Sequence, residues 1–221
     1  MPLMTNKVAF KELKIKPPTT IRLQFTKASL VEAKTKLGTT IAGKTIDNVR
    51  WGAVISVCKE GEPDCATPIK ALSVYVKSER ANARWVVEVF FEEYYVSPRA
   101  RVVYELFKFG AEVDTTIDVT FRDSVVSVIA NNRELITTDT MKKFEQIREI
   151  SADNSYIDPA GVDIAEIDPP PYNLVIVQVA DVTGVVSAIL PIVITVAVLG
   201  VVIGLLVKIF RAPIITPPAP K

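Results

Sequence analysis

Histidine is absent from all 221 residues. That excludes Ser-His-Asp and Cys-His nucleophilic catalysis and nearly every catalytic zinc site, because each needs an imidazole. Net charge is almost absent as well: 26 Lys and Arg stand against 25 Asp and Glu, leaving +1. No bulk field draws such a chain to nucleic acid, and no sequence-specific nucleic-acid partner is expected. The first twenty residues lack an apolar h-region and a small-residue cleavage site, so they are not read as a secretory signal. Asn and Gln are scarce beside Val, Ile, Lys and Glu, a bias found in hyperthermophile proteins. Cysteine occurs twice, in Cys58-Lys-Glu-Gly-Glu-Pro-Asp-Cys65. Two thiols without histidine cannot complete a zinc site. The turn-rich spacing is read as a disulfide closing a short loop, with two unpaired thiols as the alternative.

What the chain does have is one long uncharged stretch that starts at Val185 and ends at Val207. As a helix its 23 or so residues would span roughly 34 Å, against about 30 Å of bilayer hydrocarbon. Its Val, Ile and Leu side chains outweigh Thr195 and Pro191 in a membrane setting, so a transmembrane anchor is expected. Pro191 is expected to kink the span. Gly200 and Gly204 form a GxxxG pair that would let two such helices approach closely. Asp181 precedes the stretch, and Lys208 and Arg211 follow it. The positive-inside rule then puts the C-terminus on the cytoplasmic side. The absence of a readable signal keeps the preceding domain there too, a conflict that a tail anchor or an internal viral membrane would resolve.

Upstream, the apolar residues alternate. Ile21, Leu23 and Phe25 interleave with Arg22 and Gln24; Val49, Trp51, Ala53, Ile55 and Val57 interleave with Arg50 and Ser56. This is the period of half-buried strands. Further strands are expected over residues 69–77, 84–96, 101–109, 113–121, 124–130 and 134–137, separated by turn residues. Ser29 and Glu32 match a capping box and Gly38 a helix stop, which reads as a short helix, with a loop or strand as the alternative. Met141, Phe144 and Ile147 recur every three residues and predict a second helix over 139–150. Residues 151–172 are acidic and Pro-rich and read as an extended linker. Residues 174–180 read as one more strand or the first turns of the anchor.

Two sets of side chains bear on chemistry. Glu88 and Glu92 share a strand face but would lie about 13 Å apart, too far for a glycosidase pair, which needs about 5–9.5 Å. They read as acids on a solvated face. Trp51, Trp85, Tyr94 and Tyr95 read as core in preference to sugar-stacking platforms.

The run Thr115-Thr-Ile-Asp-Val-Thr-Phe121, then 124–130, then Asn131-Asn132-Arg133-Glu134-Leu135 resembles the strand–strand–turn–strand segment of concanavalin-like and laminin-G-like jelly-roll sandwiches. The resemblance implies the fold, not the sites. Asn131-Asn132 replaces the usual Asn-Gly, and the Glu-x-Asp-x-x-Glu strand of that superfamily's glycosidases has no match around Glu88.

The expected organisation is an N-terminal arm (1–19), a mainly β domain (20–150) and an acidic linker (151–173). A membrane-proximal segment with the anchor (174–210) and a basic Pro-rich tail (211–221) follow. The domain is read as an antiparallel jelly-roll-like β-sandwich with one or two short helices. In architecture the whole is similar to capsid or vertex proteins of membrane-containing archaeal viruses. That resemblance implies a structural assembly protein whose partners are a lipid membrane, further copies of itself and other shell proteins. The alternative is a carbohydrate-binding or adhesion module on a membrane stalk, with a glycan as partner. Neither reading calls for an enzyme or a cofactor. The location that follows is a virion membrane or capsid, otherwise a cell membrane.

Overall fold

Alternation along the strands translates directly into layers. The computed structural model describes residues 7–9, 18–58, 68–82, 84–93, 100–110, 112–122, 125–138, 147, 149–167 and 170–178. In chain order the elements are β1 (Lys7–Ala9), β2 (Thr19–Phe25), α1 (Lys27–Lys36), β3 (Thr40–Ile41) and β4 (Lys44–Thr45). Then come β5 (Asn48–Cys58), β6 (Pro68–Glu79), β7 (Trp85–Glu93), β8 (Ala100–Phe107), β9 (Thr115–Arg122) and β10 (Val125–Ala130). Last are β11 (Arg133–Thr138), β12 (Glu149–Ile157), β13 (Asp163–Glu166) and β14 (Tyr172–Gln178). A seven-stranded sheet runs β1-β12-β5-β6-β7-β8 with β13 also on β12, and a five-stranded sheet runs β11-β10-β9-β2-β14. Every pairing in both is antiparallel.

The inner faces are the expected apolar sets. Ile21, Leu23 and Phe25 of β2, with Ile117, Val119 and Phe121 of β9, join Val49, Trp51, Ala53 and Ile55 of β5 in one core cluster. Trp51 and Trp85 belong to that core, their rings 6.4 Å apart. Tyr172 ties the sheets together: its ring packs 4.8 Å from Phe25, and its hydroxyl donates to the Gly52 carbonyl. Gly52 itself sits where β5 and β6 press together. A Cβ there would fall 2.2 Å from the Val74 carbonyl oxygen and 2.4 Å from Tyr75 Cα.

Helix α1 forms as expected, but Thr26, not Ser29, is its cap; the Thr26 side chain accepts from the Ser29 N–H at 3.2 Å. Leu30 and Ala33 are fully buried. Gly38, at φ +80, turns the chain just after the helix. The Lys34 ammonium pairs with Glu112 in a nearly closed site, where the two side chains are 9% and 5% exposed. The Gly110 N–H also donates to Glu112, and the Phe109 ring lies 3.5 Å under the ammonium. Burial draws the Lys34 pKa down. At β10–β11 the turn residues Asn131 and Asn132 both take positive φ (48 and 62). That is the geometry of a two-residue type I′ hairpin, which Asn tolerates in place of Gly.

Some boundaries differ from expectation. Residues 151–173 are not a free linker: β12, β13 and the start of β14 occupy them, and β12 pairs with β5 along its full length. The acidic content misleads because β12 presents Ser151, Asp153 and Ser155 to the outer face, where Asp153 meets Arg50. Within the 1–19 arm, β1 pairs with β12, and Thr19 already belongs to β2. Of the two readings of residues 174–180, the strand is the one observed: residues 172–178 form it beside β2. The second helix lies mostly outside the described residues, and its last two positions, Glu149 and Ile150, belong to β12.

Asp158 closes the turn after β12. It accepts from the Ala160 and Val162 N–H groups, each at 3.0 Å, and pairs with Lys44 at 3.3 Å. The Val162 bond, aided by Lys44 and opposed by burial, holds the carboxyl below its ordinary 3.8. The folded state therefore binds the proton less readily than the unfolded chain. This stabilisation is complete above pH 3.8 and is lost as pH falls through the depressed value. Asp158→Asn is expected to remove that part of the acid-side loss, read from denaturation midpoints at neutral pH and below pH 3.8.

Candidate functional site

Because β-strand side chains alternate, the register of the larger sheet fixes what its outer face carries. One cross-strand row reads Asp153, Gly52, Tyr75, Glu88, Val103. The next reads Ser155, Arg50, Lys77, Val86, Glu105, and on the other side lies Ser151, Val54, Ser73, Phe90, Arg101. With no side chain at Gly52, Tyr75 lies down on the sheet and is 5% exposed.

A diagonal ladder of charge and aromatic contacts crosses these rows. Arg50 Nε is 2.8 Å from Asp153, and its Nη2 is 3.7 Å from Asp163. The Arg50 guanidinium lies 5.1 Å from the Tyr75 ring centroid, and Tyr75 packs on Phe90 at 5.6 Å. Arg101 lies 4.9 Å over Phe90 and pairs with Glu88, which Lys77 reaches from the other side at 3.5 Å. Burial pushes the Tyr75 hydroxyl well above its ordinary value, so it keeps its proton throughout the physiological range. Burial also raises the Asp153 carboxyl, against the pull of Arg50.

Two shallow depressions flank the Phe90–Arg101 contact. One, of about 260 Å³, is lined by Arg50, Ser73, Tyr75, Phe90, Glu92 and Asp153. The other, of about 380 Å³, includes Asn82, Arg84, Glu88, Arg101, Val103 and Glu105 in its lining. Glu88 is not the solvated acid expected: it is 2% exposed and held by two cations. Its cross-strand neighbours are Tyr75 and Val103, so no carboxylate lies directly opposite it. Among the described residues no group of three or more His, Cys, Asp or Glu could hold a metal ion.

The candidate disulfide is only half in view: Cys58 ends β5 opposite Pro68, and Cys65 lies outside the described residues. The anchor positions Asp181, Val185, Pro191, Gly200, Gly204, Val207, Lys208 and Arg211 lie outside them too, as do Tyr94 and Tyr95. Among the described residues no helix is long and apolar enough to cross a membrane. Sequence reasoning passed over Arg50, Tyr75, Phe90, Arg101 and Asp153. The available signal was two aromatic residues, Tyr75 and Phe90, in the polar phase of otherwise alternating strands.

No family model matches the chain, and no curated protein does. Solved structures do. An alginate lyase, AlyC3, solved with dimannuronate, is 12% identical over 69% of this chain, with a TM-score of 0.42. Chicken galectin 2 is 8% identical over 78% of this chain and 100% of its own, at 0.37. Domains LG4-5 of the mouse laminin alpha1 chain are 8% identical over 78% of this chain, at 0.40. The chain spans 63% of the lyase's length and 38% of the laminin fragment's. What the outer face can bind depends on this chain's own side chains.

Proposed function

We propose that the sandwich is a carbohydrate-binding or adhesion module, carried by residues 185–207 as a membrane anchor. The observation that supports it best is the half-buried Phe90 ring between two shallow polar depressions, with Arg101 laid over it. A saccharide offers an apolar ring face and a rim of hydroxyls. The part of the Phe90 ring left between Arg101 and Tyr75 can meet the apolar part of a sugar, and the guanidinium and carboxylate groups beside it can meet the hydroxyls. The shell-protein reading is the weaker of the two on this face. Interface cores are depleted of charge, whereas here Arg50, Glu88, Arg101 and Asp153 form ion pairs across the outer face of the larger sheet.

The test is liposome flotation of the full-length chain, followed by glycan-array binding of the lipid fraction. The chain should float with the vesicles and bind saccharide there. Phe90→Ala should weaken that binding about tenfold or more, the scale of losing an aromatic hot spot, with an unchanged far-UV spectrum. A chain left in the aqueous fraction removes the anchor. Binding that Phe90→Ala leaves intact removes this face as the site.

A further inference from the structure

We propose that the outer face selects uncharged, hydroxyl-rich saccharides and rejects uronic-acid and sulfated ones; this rests on the glycan-binding reading above. The argument is the way the cations are already engaged. Arg50 is held by Asp153 and Asp163, Lys77 by Glu79 and Glu88, Arg101 by Glu88, and Arg84 by Glu105. The carboxylates of the depressions are matched in turn: Asp153 by Arg50 in one, and Glu79, Glu88 and Glu105 by Lys77, Arg101 and Arg84 in the other. An anionic sugar would have to displace a carboxylate from its guanidinium to make a charge-assisted pair.

A hydroxyl meets no such obstacle. It both donates and accepts, so one group can accept from a guanidinium and donate to the carboxylate beside it while the ion pair stays whole. The Arg84–Glu105 pair is open enough for this, its side chains 46% and 39% exposed; Arg101, 51% exposed, can still donate to a hydroxyl while Glu88 stays buried beneath it. A carboxylate or sulfate on the ligand has no proton to donate and can satisfy only the cationic half. Binding that leaves every ion pair in place transfers no net charge, so its affinity should vary little with salt, unlike attraction between opposite net charges.

The experiment is titration of the full-length protein in detergent or vesicles against two probe sets at low and physiological ionic strength. One set is neutral hexose oligosaccharides; the other is oligogalacturonate, oligomannuronate and heparin fragments. The expected result is Phe90-dependent binding of neutral probes, with affinity changed less than about twofold between the two salt levels, and no binding of the acidic set. Phe90-dependent binding of the acidic probes, falling steeply with salt, would overturn the selectivity and leave the binding face standing. Failure of both sets to bind would overturn the glycan reading itself, and the selectivity with it.

Discussion

Gly52→Ala lowers the stability of the sandwich by about 3 kcal/mol or more, at the upper end of what overpacking a closed core costs. The new methyl would meet the Val74 carbonyl oxygen at 2.2 Å, Tyr75 Cβ at 2.3 Å and Tyr75 Cα at 2.4 Å. Two of these atoms are backbone and the third is fixed to it, so no flexible side chain can swing aside. Relief requires β5 and β6 to part, in the middle of a pairing that runs from Asn48 to Cys58. Parting would also pull the Gly52 carbonyl from the Tyr172 hydroxyl, which spans the two sheets. Denaturant titration of the full-length protein checks this. A midpoint within error of the parent would mean the strands are not as close as described. Tyr172→Phe serves as the mild comparison: it removes only the cross-sheet hydrogen bond, worth about 1 kcal/mol.

The second large effect is expected at Lys34 and Glu112. Glu112→Gln leaves an ammonium almost sealed from water with no counter-charge, and breaking a buried pair in this way costs about 3–5 kcal/mol. Replacing both partners with apolar groups of similar volume, Lys34→Met with Glu112→Leu, should recover most of that loss, because no charge then needs solvating. A double-mutant cycle measured by chemical denaturation separates the two results. The sign of the pH effect gives an independent check. Burial lowers the Lys34 pKa below its ordinary 10.5, so the unfolded chain binds that proton more readily. In Glu112→Gln, stability should therefore rise as pH approaches 10.5. If the single and double variants lose the same amount, the ion pair is not what holds α1 against the loop before β9.

Much of the layered architecture was legible from period alone. The apolar phase of β5, from Val49 to Ile55, is the phase that is buried, and the Asn131-Asn132 turn falls where a hairpin is needed. Strand β12 was illegible for a physical reason. Its sequence, EISADNSYI, reads as solvated until Arg50 is known to lie opposite Ser155 and to bind Asp153. A strand whose charged side chain is paired on a neighbouring strand has no signature in its own residues. The same holds for the candidate site. Arg50, Tyr75, Phe90 and Arg101 come from four different strands, and only the register brings them into one row of contacts. Gly52 was silent because a missing side chain matters only once the neighbour that fills its place is known.

The five-stranded sheet has its first strand zipped to its last: Phe25 of β2 lies opposite Tyr172 of β14, and Thr19 opposite Gln178. A ribosome delivers the chain from the N-terminus, so β2 must wait through the synthesis of nearly everything between before its outer neighbour exists. Contacts of such sequence separation slow folding and lengthen the time an apolar strand edge stays bare. That edge of β2 stays bare until residue 178 has left the exit tunnel, and a fragment cut at residue 170 would keep it open for good.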